Sequence, residues 1–205
     1  MVTMKKFLIL GNMNAITYKE VFPLIKDNKI WTGYKCFGGG MNMIQPEDTF
    51  DESKTKSFTI NEKGEIIKNI MGVIWFTNLD HAKRHEPIDL YKRYTPEEYP
   101  HYDNYDAINV DKAKDIPVDY HGVIGVPITF IDKYCPEQFE ILGIANSARW
   151  IGDFPCFTII DGKKVYNRIL IKHSSEEPDI INGGVFNNPY VNGKKKYQRL
   201  LIKRR

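Results

Sequence analysis

Four short apolar runs, each bounded by turn residues, constrain this chain more than any other feature. Lys5–Leu10 ends in Gly11-Asn12, Gly72–Thr77 is followed by Asn78, and Ile124–Ile131 and Phe139–Ile144 flank the polar stretch Asp132–Gln138. Apolar runs of about four to eight residues, rich in β-branched and aromatic side chains, suit buried strands. A helix is predicted after the first run, with Thr17 as N-cap and Glu20 three residues later completing a capping box. Val21, Leu24 and Ile25 recur at helical spacing, and Pro23 must sit in the first turn or shorten the helix. Strand, turn and helix in that order is the unit of an α/β protein.

Between these runs the chain is irregular. Ile30–Phe37 is β-rich and is broken by Gly38-Gly-Gly40. Residues 41–57 are polar and acidic around a Gln-Pro pair, and a long loop is predicted there. Ser57–Ile60 and Glu65–Lys68 flank the turn Asn61–Gly64 as a candidate hairpin. Tyr91, Tyr94, Tyr99, Tyr102 and Tyr105 cluster in a stretch that Pro96 and Pro100 keep from being a regular helix.

The tail carries an internal repeat. Asp161–Lys172 aligns with Asn192–Lys203 at an offset of 31, with eight of twelve positions identical. Each copy opens on a turn dipeptide, Asp-Gly or Asn-Gly, and continues as a strand interleaved with basic residues, which predicts paired β-ribbons or a duplicated edge strand. From Asp161 onward eleven Lys/Arg face four Asp/Glu, a net +7, while the first 160 residues hold 18 basic and 22 acidic groups, a net −4. Such a basic tail suits a polyanion, or is a solvated charged ribbon.

With 205 residues, 42% apolar and 13% aromatic, the chain is long enough for one core and excluded from the disordered class. No run approaches the roughly 20 apolar residues of a membrane span, and Met1–Lys6 precedes only a short strand, not a signal-peptide core. Cys36, Cys135 and Cys156 are odd in number and scattered, so a cytoplasmic protein without a disulfide framework is expected. The domain reading is one unit: a body over 1–155 with recognition segments, and a basic β-ribbon tail over 156–205.

His81 and His85 have the i, i+4 spacing of zinc ligands, but Ala82 stands where a zincin carries glutamate and no third ligand is evident, so no metal is expected. The same segment suits DNA better: Lys83 and Arg84 supply phosphate donors, His81 lies beside them, and Asn78 can read a base edge. Tyr102 and Tyr105 offer stacking faces, with core packing as the alternative. Lys194, Lys195 and Arg199 of the tail complete the candidate DNA contacts. Gly38-Gly-Gly40 and Asn187-Asn-Pro-Tyr190 only imitate the Gly-rich turn and Asn-Pro-Pro-aromatic segment of amino-methyltransferases: no helix is expected after the first, and the second has one proline. No nucleophilic catalytic constellation is persuasive.

Lys6–Asn12, Trp75–Asp80, Tyr102–Asn109 and Gly125–Phe130, in that order, resemble the C-terminal half of the EcoRI-type adenine-specific DNA methyltransferases. The resemblance runs from about Lys5 to Gly143 and returns at Lys164–Lys172. It implies the C-terminal part of a Rossmann-like methyltransferase sheet, strand-rich α/β with a β-ribbon tail. It also implies S-adenosylmethionine as donor, the exocyclic amine of adenine in DNA as acceptor, and a restriction–modification setting. Donor-binding glycines and the catalytic proline pair have no match, so no catalytic or cofactor-binding residue carries over. The expectation is a truncated or split enzyme whose N-terminal half lies in a second chain. The alternative is a non-catalytic DNA-binding or assembly module.

Overall fold

The computed structural model describes residues 5–34, 37–38, 40–51, 58–145, 151–152, 157–160, 162–166 and 188–205. β1 (Leu8–Asn12) carries the first apolar run and leads through a 3₁₀ turn to α1 (Phe22–Lys26). β2 (Trp31–Thr32), β3 (Met41–Gln45), β4 (Thr59–Ile60), β5 (Ile66–Ile70) and β6 (Val73–Thr77) follow. The tyrosine segment forms turns and extended chain without a regular helix, and gives way to β7 (Ala107–Asn109), β8 (Val123–Pro127) and β9 (Phe139–Ala145). The last third adds β10 (Ile151–Gly152), β11 (Phe157–Ile160), β12 (Lys163–Tyr166), β13 (Tyr190–Val191), β14 (Lys194–Lys195) and β15 (Arg199–Arg204). The architecture is α/β and strand-rich with few helices.

Five sheets are described: β1-β6-β2, β3-β5-β4, β10-β9-β15-β8-β7, and the two-stranded ribbons β11-β12 and β13-β14. β7 and β8 pair parallel, and the other described pairs are antiparallel. The core follows the alternation of the five-stranded sheet. Ile124, Val126, Ile141, Leu200 and Ile202 join α1 and β6 in the larger cluster, while Ala107, Ala145 and Leu201 pack with Tyr102, Tyr105 and Val191 in the smaller one. Among the described residues no helix is long and apolar enough to cross a membrane.

Several expectations need correction. Thr17 does not cap a helix: its hydroxyl donates to the Asn14 carbonyl inside the 3₁₀ turn Met13–Thr17, which Asn12 caps instead. Glu20 pairs with Lys19 rather than closing a capping box. A helix from Thr17 would place Pro23 in its interior, where it loses an N–H and clashes with the preceding turn. In α1, Pro23 falls in the first turn. Asn28, at φ 58°, then ends the helix, with Asn28 N–H donating to Ile25 O at 3.0 Å and Lys29 N–H to Leu24 O at 2.8 Å.

Two further boundaries differ from expectation. Met41–Gln45 is a strand, not loop; it pairs with the whole of β5, but Ile44 faces solvent and Met43 is only half-buried, so no buried apolar stripe marks it. The run from Ile124 stays extended only to Pro127, which cannot donate to a ladder, and Ile128–Lys133 is a 3₁₀ turn that buries Phe130 and Ile131. The Ser57–Lys68 hairpin forms as β4 and β5, with Ser57 outside the described residues.

The tail departs furthest from expectation. The strand half of its second repeat does not lie on an edge or a solvated ribbon: β15 sits between β8 and β9, and Leu200, Leu201 and Ile202 are wholly buried. A strand covered on both faces carries a continuous apolar run, whereas a half-buried one alternates. The turn dipeptides do open ribbons, β11-β12 around Gly162 and β13-β14 around Asn192-Gly193. Residues 167–172 of the first copy, the boundary at 155/156, Cys36 and Cys156 lie outside the described residues.

Candidate nucleic-acid interface

The segment after β6 is a cross-brace. Thr77 Oγ1 donates to Phe7 O at 2.6 Å, and Asn78 extends the β1–β6 ladder by accepting from Phe7 N–H at 2.9 Å and donating to Lys5 O at 3.0 Å. The Asn78 amide is therefore committed to β1, not presented for a base edge. Trp31 Nε1 donates to Leu79 O at 2.8 Å and pins the turn from the other side.

The following 3₁₀ turn, Ala82–His85, ties three regions together. Arg84 is buried, stacks 3.6 Å from the Trp31 ring, pairs with Asp80 at 2.9 Å and donates to Asn28 Oδ1 at the end of α1. Lys83 pairs with Asp132 at 2.6 Å and donates to Tyr34 O at 3.0 Å. His81 Nε2 lies 3.0 Å from Thr32 O, which requires the ring to carry its proton there. Among the described residues His81 Nδ1 and Arg84 Nε are buried without a hydrogen-bond partner, beside a 20 Å³ cleft that has room for one water molecule.

His85 bridges Asp80 (2.9 Å) and Glu137 (2.8 Å). The hydrogen bond with Asp80, then that with Glu137, raises its pKa above the ordinary histidine value against a smaller opposing effect of burial. Asp80 is held down first by His85 and also by Arg84, against burial. Glu137 is pushed up by burial but ends lowered by hydrogen bonds from Cys135 and His85. Lys83 and Arg84 thus have internal carboxylate partners, which corrects their reading as ready phosphate donors.

The second group of candidates gathers at the far face of the five-stranded sheet. Tyr102 and Tyr105 are 4% and 1% exposed, so neither ring is a stacking face. Tyr102 Oη donates to Asn109 Oδ1 at 2.8 Å, and Arg199 Nε donates to the same oxygen at 3.4 Å. Desolvation pushes the Tyr102 hydroxyl well above the usual tyrosine range. Arg199 is also buried and pairs with Asp111 at 2.8 Å, joined there by Lys196 at 3.2 Å. Asp111 is pushed up by desolvation but ends lowered by Asn109, Lys196 and Arg199.

Lys194 and Lys195 behave differently: both are exposed on the β13-β14 ribbon. Lys163 and Lys164 hold the equivalent repeat positions on β12 and are exposed too. Sequence reasoning missed this second pair as a candidate, although the alignment of the two repeat copies carried the signal for it.

The family model of the EcoRI adenine-specific methyltransferases matches residues 1–205. The chain belongs to that family. It is 48% identical over 171 residues to the Type II methyltransferase M.EcoRI of Escherichia coli, covering 82% of this chain and 50% of that protein. It is 31% identical over 181 residues to the Type II methyltransferase M.MpnI of Mycoplasma pneumoniae, covering 82% of this chain and 56% of the relative. The chain spans about half the length of the curated relatives it matches. No solved structure matches it.

Family membership raises the question of where S-adenosylmethionine would sit, and the two look-alike segments do not fit it. Gly38 and Gly40 have left-handed φ of 112° and 73°, but they feed β3, so no helix N-terminus follows the turn. Asn188 and Pro189 are buried, the Asn188 carbonyl is held by Asn104 Nδ2 at 2.8 Å, and Tyr190 enters a β-ribbon. No step of methyl transfer is assigned to these residues.

Proposed function

We propose that this chain is the sheet-completing and DNA-engaging portion of an adenine-N6 DNA methyltransferase of the restriction–modification type. The donor is S-adenosylmethionine, and the donor- and adenine-holding motifs are supplied by residues other than these 205, whether on a second chain or the same one. The enzyme works in the cytoplasm, where its DNA substrate is found. One observation carries the reading. β1 is the edge of its sheet, and Leu8 and Ile9, on opposite faces, are 54% and 55% exposed. Apolar residues on both faces of a strand belong inside a sheet covered on both sides, and an edge strand left so is a pairing surface. A Rossmann-like methyltransferase sheet continuing past β1 supplies that covering.

The test is methyl transfer from labelled S-adenosylmethionine to adenine-containing duplex DNA, by this chain alone and with a polypeptide carrying the Gly-rich turn and the Asn-Pro-Pro-Phe segment. Activity in the mixture alone supports the proposal. Activity from the chain alone overturns the placement of the motifs. Silence in both, with DNA binding retained, replaces it with a non-catalytic DNA-binding module.

A further inference from the structure

The tail repeat has a structural counterpart that the proposed function leaves unused. Both copies place Gly-Lys-Lys at the tip of a β-ribbon. Gly162 has φ 73°, with Ile160 opposite Lys163, and Asn192 and Gly193 have φ 51° and 70°, with Val191 opposite Lys194. Positive φ at both turn residues is the tight hairpin geometry that Asn-Gly favours.

Both ribbons are anchored on one residue. Phe157 N–H at the start of β11 donates to Asn104 O at 2.9 Å, and Tyr190 N–H at the start of β13 donates to Asn104 Oδ1 at 3.2 Å. Asp103 N–H donates to Tyr190 O at 2.9 Å. The repeat is therefore not two unrelated surface turns; the fold brings the copies to the same loop.

Three carboxylates described in that region already have partners. Asp103 accepts from the backbone N–H groups of Asn192 (3.0 Å) and Gly193 (2.7 Å), fixing the second tip. Asp106 pairs with Lys164, which also lies 4.6 Å from the Phe157 ring. Asp111 takes Lys196 and Arg199. Lys163, Lys194 and Lys195 are exposed and have no carboxylate partner among the described residues. Exposed ammonium groups at hairpin tips, with Asp103, Asp106 and Asp111 already holding partners, are suited to phosphate oxygens, which position a protein on a duplex without reading sequence.

We propose that the two Gly-Lys-Lys tips form a paired clamp on the sugar–phosphate backbone of duplex DNA. Lys163 acts on one ribbon and Lys194 with Lys195 on the other. The clamp takes DNA as its ligand from the proposed function, but it does not depend on catalysis. The copies are unequal: Asp106 takes Lys164 on the first ribbon, whereas Lys194 and Lys195 are both exposed on the second, so the second ribbon contributes more.

The experiment is a salt titration of binding to a fluorescent mixed-sequence duplex, using the 205-residue chain and its K163Q, K194Q/K195Q and combined variants. Neutralising one lysine that sits on a phosphate makes the slope of log K against log salt shallower by about 0.9. The combined variant should have a slope shallower by about 2–3 and bind at least about tenfold more weakly at moderate salt. K194Q/K195Q should account for most of the change, and K5Q/K6Q for none. An unchanged slope, an equal effect of K5Q/K6Q, or no binding by the unaltered chain overturns the clamp. Methyl transfer with an unchanged slope defeats the clamp alone. A reduced slope without methyl transfer in any mixture defeats the catalytic reading alone.

Discussion

Gly125→Ala tests whether Tyr102 is a core residue or a ring free to meet a base. A Cβ at this position would lie 2.7 Å from Tyr102 Cζ, and closer still to its hydroxyl oxygen and Cε2. The ring cannot move aside cheaply, because it is buried and its hydroxyl is held by Asn109 Oδ1. Gly125 has no left-handed φ, so the cost is steric. Overpacking a filled core costs about 1–3 kcal/mol, and losing the hydroxyl's hydrogen bond adds about 1 kcal/mol. The sum, about 2–4 kcal/mol, corresponds to a fall of roughly 4–16 °C in Tm for a domain of this size. Urea titration followed by tryptophan fluorescence reads the same quantity. In a Tyr102→Ala background the clash is gone, so Gly125→Ala should then cost less than about 0.5 kcal/mol and the two changes should be strongly non-additive. A near-neutral Gly125→Ala, or simple additivity, would refute the packing and restore Tyr102 as a candidate stacking face.

Leu201→Ala should destabilise by about 2–5 kcal/mol in the same assay, because Leu201 fills the smaller core from the central strand; an edge ribbon would barely respond. Asp103→Ala should raise hydrogen exchange at the Asn192 and Gly193 amides, and Asp103→Asn should do so less, since one acceptor oxygen remains. His85 has a raised pKa in the fold, so its contribution is complete below the unfolded value of 6.5 and is lost as pH rises through the raised value. Asp80 and Glu137 are lowered, so their shares persist above the unfolded carboxylate values and are lost as pH falls through the folded ones. The urea midpoint should therefore decline as pH rises from 6.5 through the raised His85 value, and His85→Gln should remove the decline in that window, leaving the alkaline loss that the buried tyrosines cause. Leu8→Lys with Ile9→Lys should raise the monomer fraction in sedimentation while lowering the urea midpoint less than Leu201→Ala does, as about half of each side chain is exposed on an open edge.

Local chemistry was legible and long-range pairing was not. Gly72–Thr77 and Phe139–Ile144 announced strands because their apolar content is dense and their ends are marked, and the structure departs by a residue at one end of each. The Asn61–Gly64 turn was equally plain, with Gly64 N–H donating to Asn61 O at 2.9 Å. Residues whose roles come from distant partners were misread. Arg84 looked like a phosphate donor because nothing local shows Trp31 and Asn28 folding against it, and Arg199 looked like a ribbon residue because Asp111 lies far away in sequence. Basic residues flanking Leu200–Ile202 masked a central strand: three buried positions were enough to decide its place, while its average composition pointed to the surface.

Leu8-Ile9-Leu10 and Leu200-Leu201-Ile202 share one composition, yet the second is wholly buried between two strands and two cores, while the first lines an open edge with its leading residues half-exposed. Full burial of a leucine or isoleucine contributes about 1.5–3 kcal/mol. Covering Leu8 and Ile9, each already about half-buried, would recover roughly half of that per side chain, about 1.5–3 kcal/mol for the pair. The ladder on the free edge of β1 would add to it. β15 shows what such a run looks like once both sides are filled. The same filling at β1 is what the proposed catalytic portion provides, and the chain's half-length match to its relatives is consistent with that portion lying outside these residues. Assembly across β1 therefore has its own driving force, separate from any contact with DNA. The two can be measured apart, β1 variants altering association and lysine-tip variants altering the salt dependence of DNA binding.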